Sequence, residues 1–193
     1  METQITRLFG IEYPILGGCM QHISVPEFVA ATSEAGGLGI LSSASFQDLD
    51  AFREALRDVK RLTGKPFAVN LNFFPAINPT DNNLYANIMI EEGGVTAVES
   101  SGQRPPQDMV ARLREGGIKV MHKCVSVRHA LSALKSGIDA VTLFGQEGGG
   151  HIGGYGISTM ALVPAAVDAL DVPVIAAGGI GDGRGLAAAL ALG

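Results

Sequence analysis

A single histidine lies within an unusually glycine-rich stretch of this sequence. The segment 145–156, GQEGGGHIGGYG, places seven glycines around His151. Glycine raises the entropy cost of ordering the backbone in a helix or a strand, so the segment predicts a loop. An imidazole with its ordinary pKa of about 6.5 is a suitable proton acceptor. His151 is therefore a candidate general base, and the alternative is a surface histidine without a chemical role.

Other polar residues and glycines stand where apolar runs end. They include Cys19, Met20 and Gln21 after the first run, Asn70 and Asn72 in the third, and Gly178 with Gly179 in the last. A backbone without Cβ atoms can approach a planar or anionic ligand, and a helix N-terminus after Gly179 would favour a phosphate. The alternative is that these glycines only form tight turns.

Lys123 also follows an apolar run, and it has two interpretations. Lysines at strand ends often extend into solvent. An ammonium at the rim of a binding cleft could instead lie beside a ligand that gains negative charge on reduction, such as a flavin, and would favour that reduction electrostatically.

Apolar runs alternate with helix-like segments along the whole chain. Strands are predicted at 13–20, 38–43, 66–73, 96–101, 118–124, 138–145 and 172–179, and helices at 25–36, 47–64, 80–93, 107–117, 127–137, 158–170 and 183–193. Most of the strands are continuously apolar, as is typical of parallel strands that are buried on both faces. The pattern predicts an α/β fold of seven repeated units.

Two architectures fit these units, an open doubly wound sheet and a (β/α)₈ TIM barrel. Short, regular units without a long linker favour the barrel, and in both architectures function gathers at the carboxyl ends of the strands. The chain has 193 residues, whereas a complete barrel typically needs about 250. We therefore expect one incomplete barrel domain over 1–193, truncated after its seventh unit.

Composition argues against several classes of function. The net charge is −5 and the basic residues form no cluster, which disfavours nucleic-acid binding. The sequence shows neither a signal peptide nor a long apolar span, and two cysteines suit a reducing cytoplasm. No spacing of histidine and cysteine resembles a metal site, so none is expected. The G-x-G-x-x-G match at 148–153 opens no helix directly and is interpreted as accidental.

Six motifs together resemble the nitronate monooxygenase family, formerly called 2-nitropropane dioxygenases. They are YPILGGCMQ, AGGLGILSS, KPFAVNLNF, VMHKC, EGGGHIGG and VPVIAAGGIGDGRGLAAALALG, in this order over essentially the whole chain. Members of that family are FMN-dependent (β/α)₈ barrels. The resemblance implies oxidation of alkyl nitronates or nitroalkanes with O₂ to a carbonyl compound and nitrite.

The resemblance also implies roles for individual residues. His151 matches the family's catalytic base. The backbone at Cys19, Met20 and Gln21 would pack against the flavin, Asn70 and Asn72 would bind its polar edge or ribityl chain, Lys123 would approach its pyrimidine end, Gly150 would lie near it, and Gly178 and Gly179 would bind its phosphate. Neither a nucleic acid nor a membrane is an expected partner, and a homodimer is possible.

Two other functions stay open at this point. The same scaffold supports an NAD(P)H-dependent flavin reductase acting on a quinone or an enoyl thioester, and flavin-type enoyl-acyl-carrier-protein reductases share the GGHIG motif. The family continues with an eighth strand, ending in a Gly-Thr pair, that this sequence lacks. The third possibility is therefore a non-catalytic fragment that binds FMN weakly or not at all.

Overall fold

The computed structural model describes residues 1–46, 48–75, 81–151 and 153–193. Gln47 and Thr80, which are the expected first residues of two helices, and Ile152 of the glycine-rich segment lie outside these residues. The chain divides into two compact units, Met1–Val120 and Met121–Gly193.

The first unit is built from strands that alternate with helices. Its strands are β1 (Gly39–Ser42), β2 (Phe67–Phe73) and β3 (Ala97–Gly102). Its helices are α1 (Gln4–Phe9), α2 (Pro26–Glu34), α3 (Leu49–Leu62), α4 (Asn82–Glu92) and α5 (Gln107–Glu115), with a 3₁₀ turn at Ser43–Ser45.

The second unit repeats the same alternation. Its strands are β4 (Lys119–Cys124), whose last four residues belong to this unit, β5 (Ala140–Phe144) and β6 (Val174–Ala177). Its helices are α6 (Val127–Leu134), α7 (Thr159–Val167) and α8 (Gly183–Ala191). All four residues of β6 are half-buried.

Helix α3 shows how the sequence fixes an element locally. The side chain of Asp48 accepts a hydrogen bond from the Asp50 amide at 3.0 Å and so caps the first turn. Phe52, Leu56 and Val59 are all fully buried on one face of the helix. Their spacing is that of one helical face, which is why the sequence predicts this helix clearly.

The strands of each unit pair in parallel and in chain order. The order is β1-β2-β3 in the first unit and β4-β5-β6 in the second. A doubly wound sheet would reverse its strand order at a switch point, and the described strands of the two units show no such reversal. The fold is therefore of the (β/α)₈ TIM-barrel type with six parallel strands among the described residues, which confirms the predicted fold class.

The expected strand at 13–20 is wrong as a regular element. It forms one isolated parallel bridge, Leu16 to Leu38, and Tyr13 and Ile15 are 43% and 47% exposed. The pairing stops because the chain turns just beyond it, where the Met20 amide donates to Ser24 Oγ at 2.9 Å. The sequence shows the apolar run but not this local turn.

None of the described helices has both the length and the apolar character needed to cross a membrane.

Candidate active site

The turn after Leu16 carries three of the predicted site residues. Cys19 is half-buried, whereas Met20 and Gln21 are exposed. The buried Ser24 accepts a hydrogen bond from the Met20 amide at 2.9 Å and its own amide donates to the Met20 carbonyl at 2.8 Å. Gln21 Nε2 donates to the Ala44 carbonyl at 3.2 Å, so the turn is fixed to the 3₁₀ segment that follows β1.

A row of buried polar side chains crosses the three strands of the first unit. Ser42, Asn70 and Glu99 are register partners on β1, β2 and β3, and paired residues on adjacent strands share one face of the sheet. Asn70 and Glu99 are only 7% and 3% exposed, and Asn70 Nδ2 donates to Glu99 Oε2 at 2.9 Å. The three form a fixed polar row, here called the strand row.

Asn72 lies two residues beyond Asn70 on the same face of β2, and its environment is different. It is half-buried, and its Oδ1 accepts a hydrogen bond from the Phe74 amide at 3.0 Å. The Asn72 carbonyl accepts from Asn82 Nδ2 at 2.9 Å. Asn72 therefore shapes the chain where it leaves β2, in addition to any contact it makes with a ligand.

In the second unit, Lys123 lies on β4 opposite Thr142 on β5. Its Nζ is 5.6 Å from the centroid of the Phe144 ring, within the range of a cation–π contact. Thr142 Oγ1 is buried and finds no hydrogen-bond partner among the described residues. A buried hydroxyl without a partner is costly, so this face of the sheet is suited to a polar ligand edge or a water.

The glycine-rich segment is anchored by the carboxylate of Glu147, a residue for which no role was predicted. Glu147 Oε2 accepts hydrogen bonds from the Thr159 amide at 2.9 Å and from Thr159 Oγ1 at 3.0 Å. The hydrogen bond that the Thr159 backbone amide donates to this carboxylate is the main reason that the pKa of Glu147 is lowered. The Gly145 amide also donates to the Ala177 carbonyl at 2.9 Å, so the segment is joined to both α7 and β6.

The glycines of this segment do two different things. A Cβ on Gly148 would overlap the Phe144 ring, and one on Gly153 would approach Val125 Cβ to 2.6 Å, so these two positions are closely packed. Gly149 and Gly150, by contrast, have no atom within 4 Å of where a Cβ would be.

His151 follows the open pair Gly149 and Gly150 and is itself exposed. Gly150 has a positive φ of 88°, which favours glycine over residues with a Cβ. The segment is thus closely packed at Gly148 and Gly153 and open at Gly149 and Gly150, next to the imidazole.

Gly178 and Gly179 directly follow β6 and have positive φ values of 105° and 74°. A Cβ on Gly178 would approach Thr159 Oγ1 to 2.9 Å, so packing alone already requires a glycine there. The first turn of α8 is not open, because Asp182 Oδ1 accepts from the amides of Arg184 at 2.9 Å and Gly185 at 3.3 Å. A phosphate near this turn would have to use the amides of the glycine pair or displace Asp182.

A family model for nitronate monooxygenase matches residues 2–193. The chain belongs to the nitronate monooxygenase family. This confirms the resemblance carried by the six motifs.

The relatives of this family member differ in what they are called. A (3aS,4S,5R,7aS)-5-hydroxy-7a-methyl-1-oxo-octahydro-1H-indene-4-carboxyl-CoA dehydrogenase from Rhodococcus jostii is 39% identical over all of this chain and 52% of its own length. FabK from Thermotoga maritima matches with a TM-score of 0.90 and 40% identity, covering 100% of this chain and 59% of that one. A nitroalkane oxidase from Streptomyces ansochromogenes matches at 0.89 and 29%, covering 99% and 65%. The chain therefore spans between about half and two thirds of each.

Four residues for which no role was predicted belong to the polar groups of this nitronate monooxygenase family member, Glu99 in the first unit and Thr142, Glu147 and Thr159 in the second. Glu99 and Thr142 are polar residues inside apolar strands, and that interruption is the signal that could have identified them. Glu147 and Thr159 meet only because the loop folds back on α7, and their spacing of twelve residues carries no such signal.

Proposed function

We propose that this protein is an FMN-dependent enzyme that oxidises alkyl nitronates with O₂ to a carbonyl compound and nitrite. The observation that carries the proposal is the position of His151, exposed beside two open glycines on an otherwise anchored loop of a nitronate monooxygenase family member. A nitroalkane oxidase among the structural neighbours supports the choice of substrate class.

The residues of the second unit fit a flavin. Thr142 provides a buried hydroxyl that lacks a partner among the described residues, and Lys123 provides a cation on the same face of the sheet. Gly178 and Gly179 would hold the phosphate, and Gly150 would let the loop approach the ring system. When bound, FMN would supply reversible electron acceptance, which no side chain provides.

The residues of the first unit fit supporting roles. The turn at Cys19, Met20 and Gln21 would present its backbone to the flavin. Asn70, held by Glu99 at 2.9 Å, and Asn72 would bind the polar edge or the ribityl chain. Because the strand ladder and the Glu99 contact orient Asn70, its amide would be ordered before any ligand arrives.

His151 would act on the neutral nitroalkane. Its imidazole would take the proton from the carbon next to the nitro group, and the substrate would become the nitronate. Lys123 would stabilise negative charge that develops at the neighbouring ligand. A preformed nitronate has already lost that proton, so it would not need the histidine as a base.

A second candidate is an NAD(P)H-dependent flavin reductase that acts on a thioester or a quinone. Two observations favour it, the carboxyl-CoA dehydrogenase at 39% identity and FabK at 40%. Both candidates use the same fold and the same flavin, so they differ in what delivers electrons to it.

Anaerobic stopped-flow spectroscopy of the flavin-loaded protein would separate the two candidates. We expect an alkyl nitronate to bleach the flavin rapidly and, in air, to release nitrite. Rapid bleaching by NADH or NADPH, with none by the nitronate, would overturn the proposal in favour of the reductase. A purified protein that remains colourless after incubation with FMN would remove both candidates for this chain.

A further inference from the structure

The side chains on β4 alternate between two faces, and Lys123 uses only one of them. His122 and Cys124 point to the other face, where α6 packs. His122 Nε2 lies 3.1 Å from Nε2 of His129, which is on α6, and the two rings meet edge to face with centroids 5.0 Å apart. His122 is fully buried and His129 half-buried.

The thiol of Cys124 completes a compact group with these two imidazoles. It is fully buried, and one ring nitrogen of each histidine and the Cys124 sulfur all lie within 4.8 Å of one another. In the structure the thiol donates to the carbonyl of His122 at 3.7 Å.

The spacing of these atoms is close to that of a tetrahedral metal site. With Zn–N distances of about 2.0–2.1 Å, two imidazole nitrogens on one zinc ion are roughly 3.4 Å apart. The observed 3.1 Å between His122 Nε2 and His129 Nε2 is near that value. A sulfur and a nitrogen on the same ion would be roughly 3.6 Å apart. Since the sulfur lies within 4.8 Å of a ring nitrogen of each histidine, each sulfur–nitrogen distance needs to shorten by at most about 1.2 Å.

We propose that His122, Cys124 and His129 bind one divalent ion of the zinc class. Two imidazoles and a thiolate are the ligands that such an ion prefers, whereas magnesium and calcium prefer oxygen. Three protein ligands leave a fourth position for a water, and His129 is half-buried rather than fully enclosed.

The ion would join α6 to β4, since one ligand comes from the helix and two come from the strand. The turn that carries His129 is already fixed, because its amide donates to Ser126 Oγ at 3.1 Å and so caps α6. The sequence predicts no metal site, since an H-x-C pair followed by a histidine matches none of the familiar spacings. The site lies on the opposite face of β4 from Lys123 and is independent of the proposed oxidation.

Cobalt is a suitable probe, because a thiolate on Co²⁺ gives a near-ultraviolet charge-transfer band. The whole protein would be treated with a chelator, dialysed and titrated with Co²⁺, with difference spectra taken against the metal-free sample so that flavin absorbance cancels. Zinc content would be measured separately after dialysis. The variants are Cys124→Ser and His129→Asn, and Cys19→Ser is the matched control that removes the other cysteine.

We expect one ion per chain, a thiolate band, and a melting temperature that rises with added Zn²⁺. Cys124→Ser should lose the band, His129→Asn should bind at least about tenfold more weakly, and Cys19→Ser should retain both properties. A thiolate band that survives in Cys124→Ser would overturn the proposal, and so would metal binding to the unmodified protein without a thiolate band. If the unmodified protein binds no metal, the proposal is also wrong. If Cys124→Ser fails to fold, the decisive measurement is the affinity of His129→Asn, and an unchanged affinity would overturn the proposal.

Discussion

The strand row and the glycine-rich loop place polar groups in opposite ways. In the first unit, Ser42, Asn70 and Glu99 are held by the sheet ladder and are almost completely buried. In the second, His151 is exposed on a segment that the Glu147 side chain joins to α7. Strands can therefore fix binding groups by themselves, whereas a group on a loop depends on side-chain anchors.

The largest effect should come from removing the imidazole of the loop. We expect His151→Asn to slow turnover of a neutral nitroalkane at least about 100-fold, because general-base catalysis is worth 10²–10⁴-fold. FMN binding should be retained. The same variant should oxidise a preformed nitronate at nearly the original rate, which serves as the internal control. Equal rates of the variant and the original protein on the neutral substrate would remove His151 from the mechanism.

Disrupting the strand row should mainly reduce stability. Asn70→Ala removes the amide that donates to the buried Glu99 carboxylate, and we expect the free energy of unfolding to fall by about 2 kcal/mol. Asn72→Ala, two residues away on the same face, is the matched control and should cost less than half as much. Urea unfolding measures the free energy of both variants. Equal losses of unfolding free energy would show that the Asn70–Glu99 contact adds no more to stability than the contacts of Asn72.

The packing of the loop can be tested with a pair of adjacent glycines. Gly148→Ala would force a methyl group into the Phe144 ring, whereas Gly149→Ala would meet no atom within 4 Å. We expect the first substitution to destabilise the protein by about 1–2 kcal/mol through overpacking and the second to be nearly neutral. Thermal unfolding would measure the stability of both variants. Equal melting temperatures would contradict the close packing of Gly148 against Phe144.

The smallest effect should come from weakening the anchor of the loop. Glu147→Gln replaces a charge-assisted acceptor by a neutral one, so amides in 145–156 should exchange hydrogen faster while the melting temperature changes little. Asp168→Asn, at the other end of α7, is a control outside these contacts.

The pH dependence of the same anchor follows from the lowered pKa of Glu147. Its carboxylate contributes fully above the ordinary glutamate pKa and loses its contribution as the pH falls through the lowered value. Loop exchange, corrected for its intrinsic pH dependence, should therefore accelerate in acid in the original protein but not in Glu147→Gln. Parallel pH profiles would contradict this role.

Much of the fold could be predicted because its signals are local. The apolar face of α3 and the largely apolar character of β2 to β5 depend on neighbouring residues alone, and the TIM-barrel class and the family are both confirmed. The strand predicted at 13–20 was wrong because an apolar stretch does not reveal whether the segment pairs with a neighbouring strand. Among the described residues, this segment forms one isolated bridge, from Leu16 to Leu38. The ten predicted site residues, a homodimer, a single domain and a cytoplasmic location stay predictions.

The order of residues was enough to predict most of the strands and helices and the family to which the motifs belong, since these signals are local. The folded chain was needed to show that Asn70 contacts Glu99, that Glu147 anchors the loop on Thr159, and that His122, Cys124 and His129 lie together. Each of these contacts joins residues from different elements. These contacts depend on strand register and on how the helices pack, and neither can be predicted from the spacing of residues along the chain.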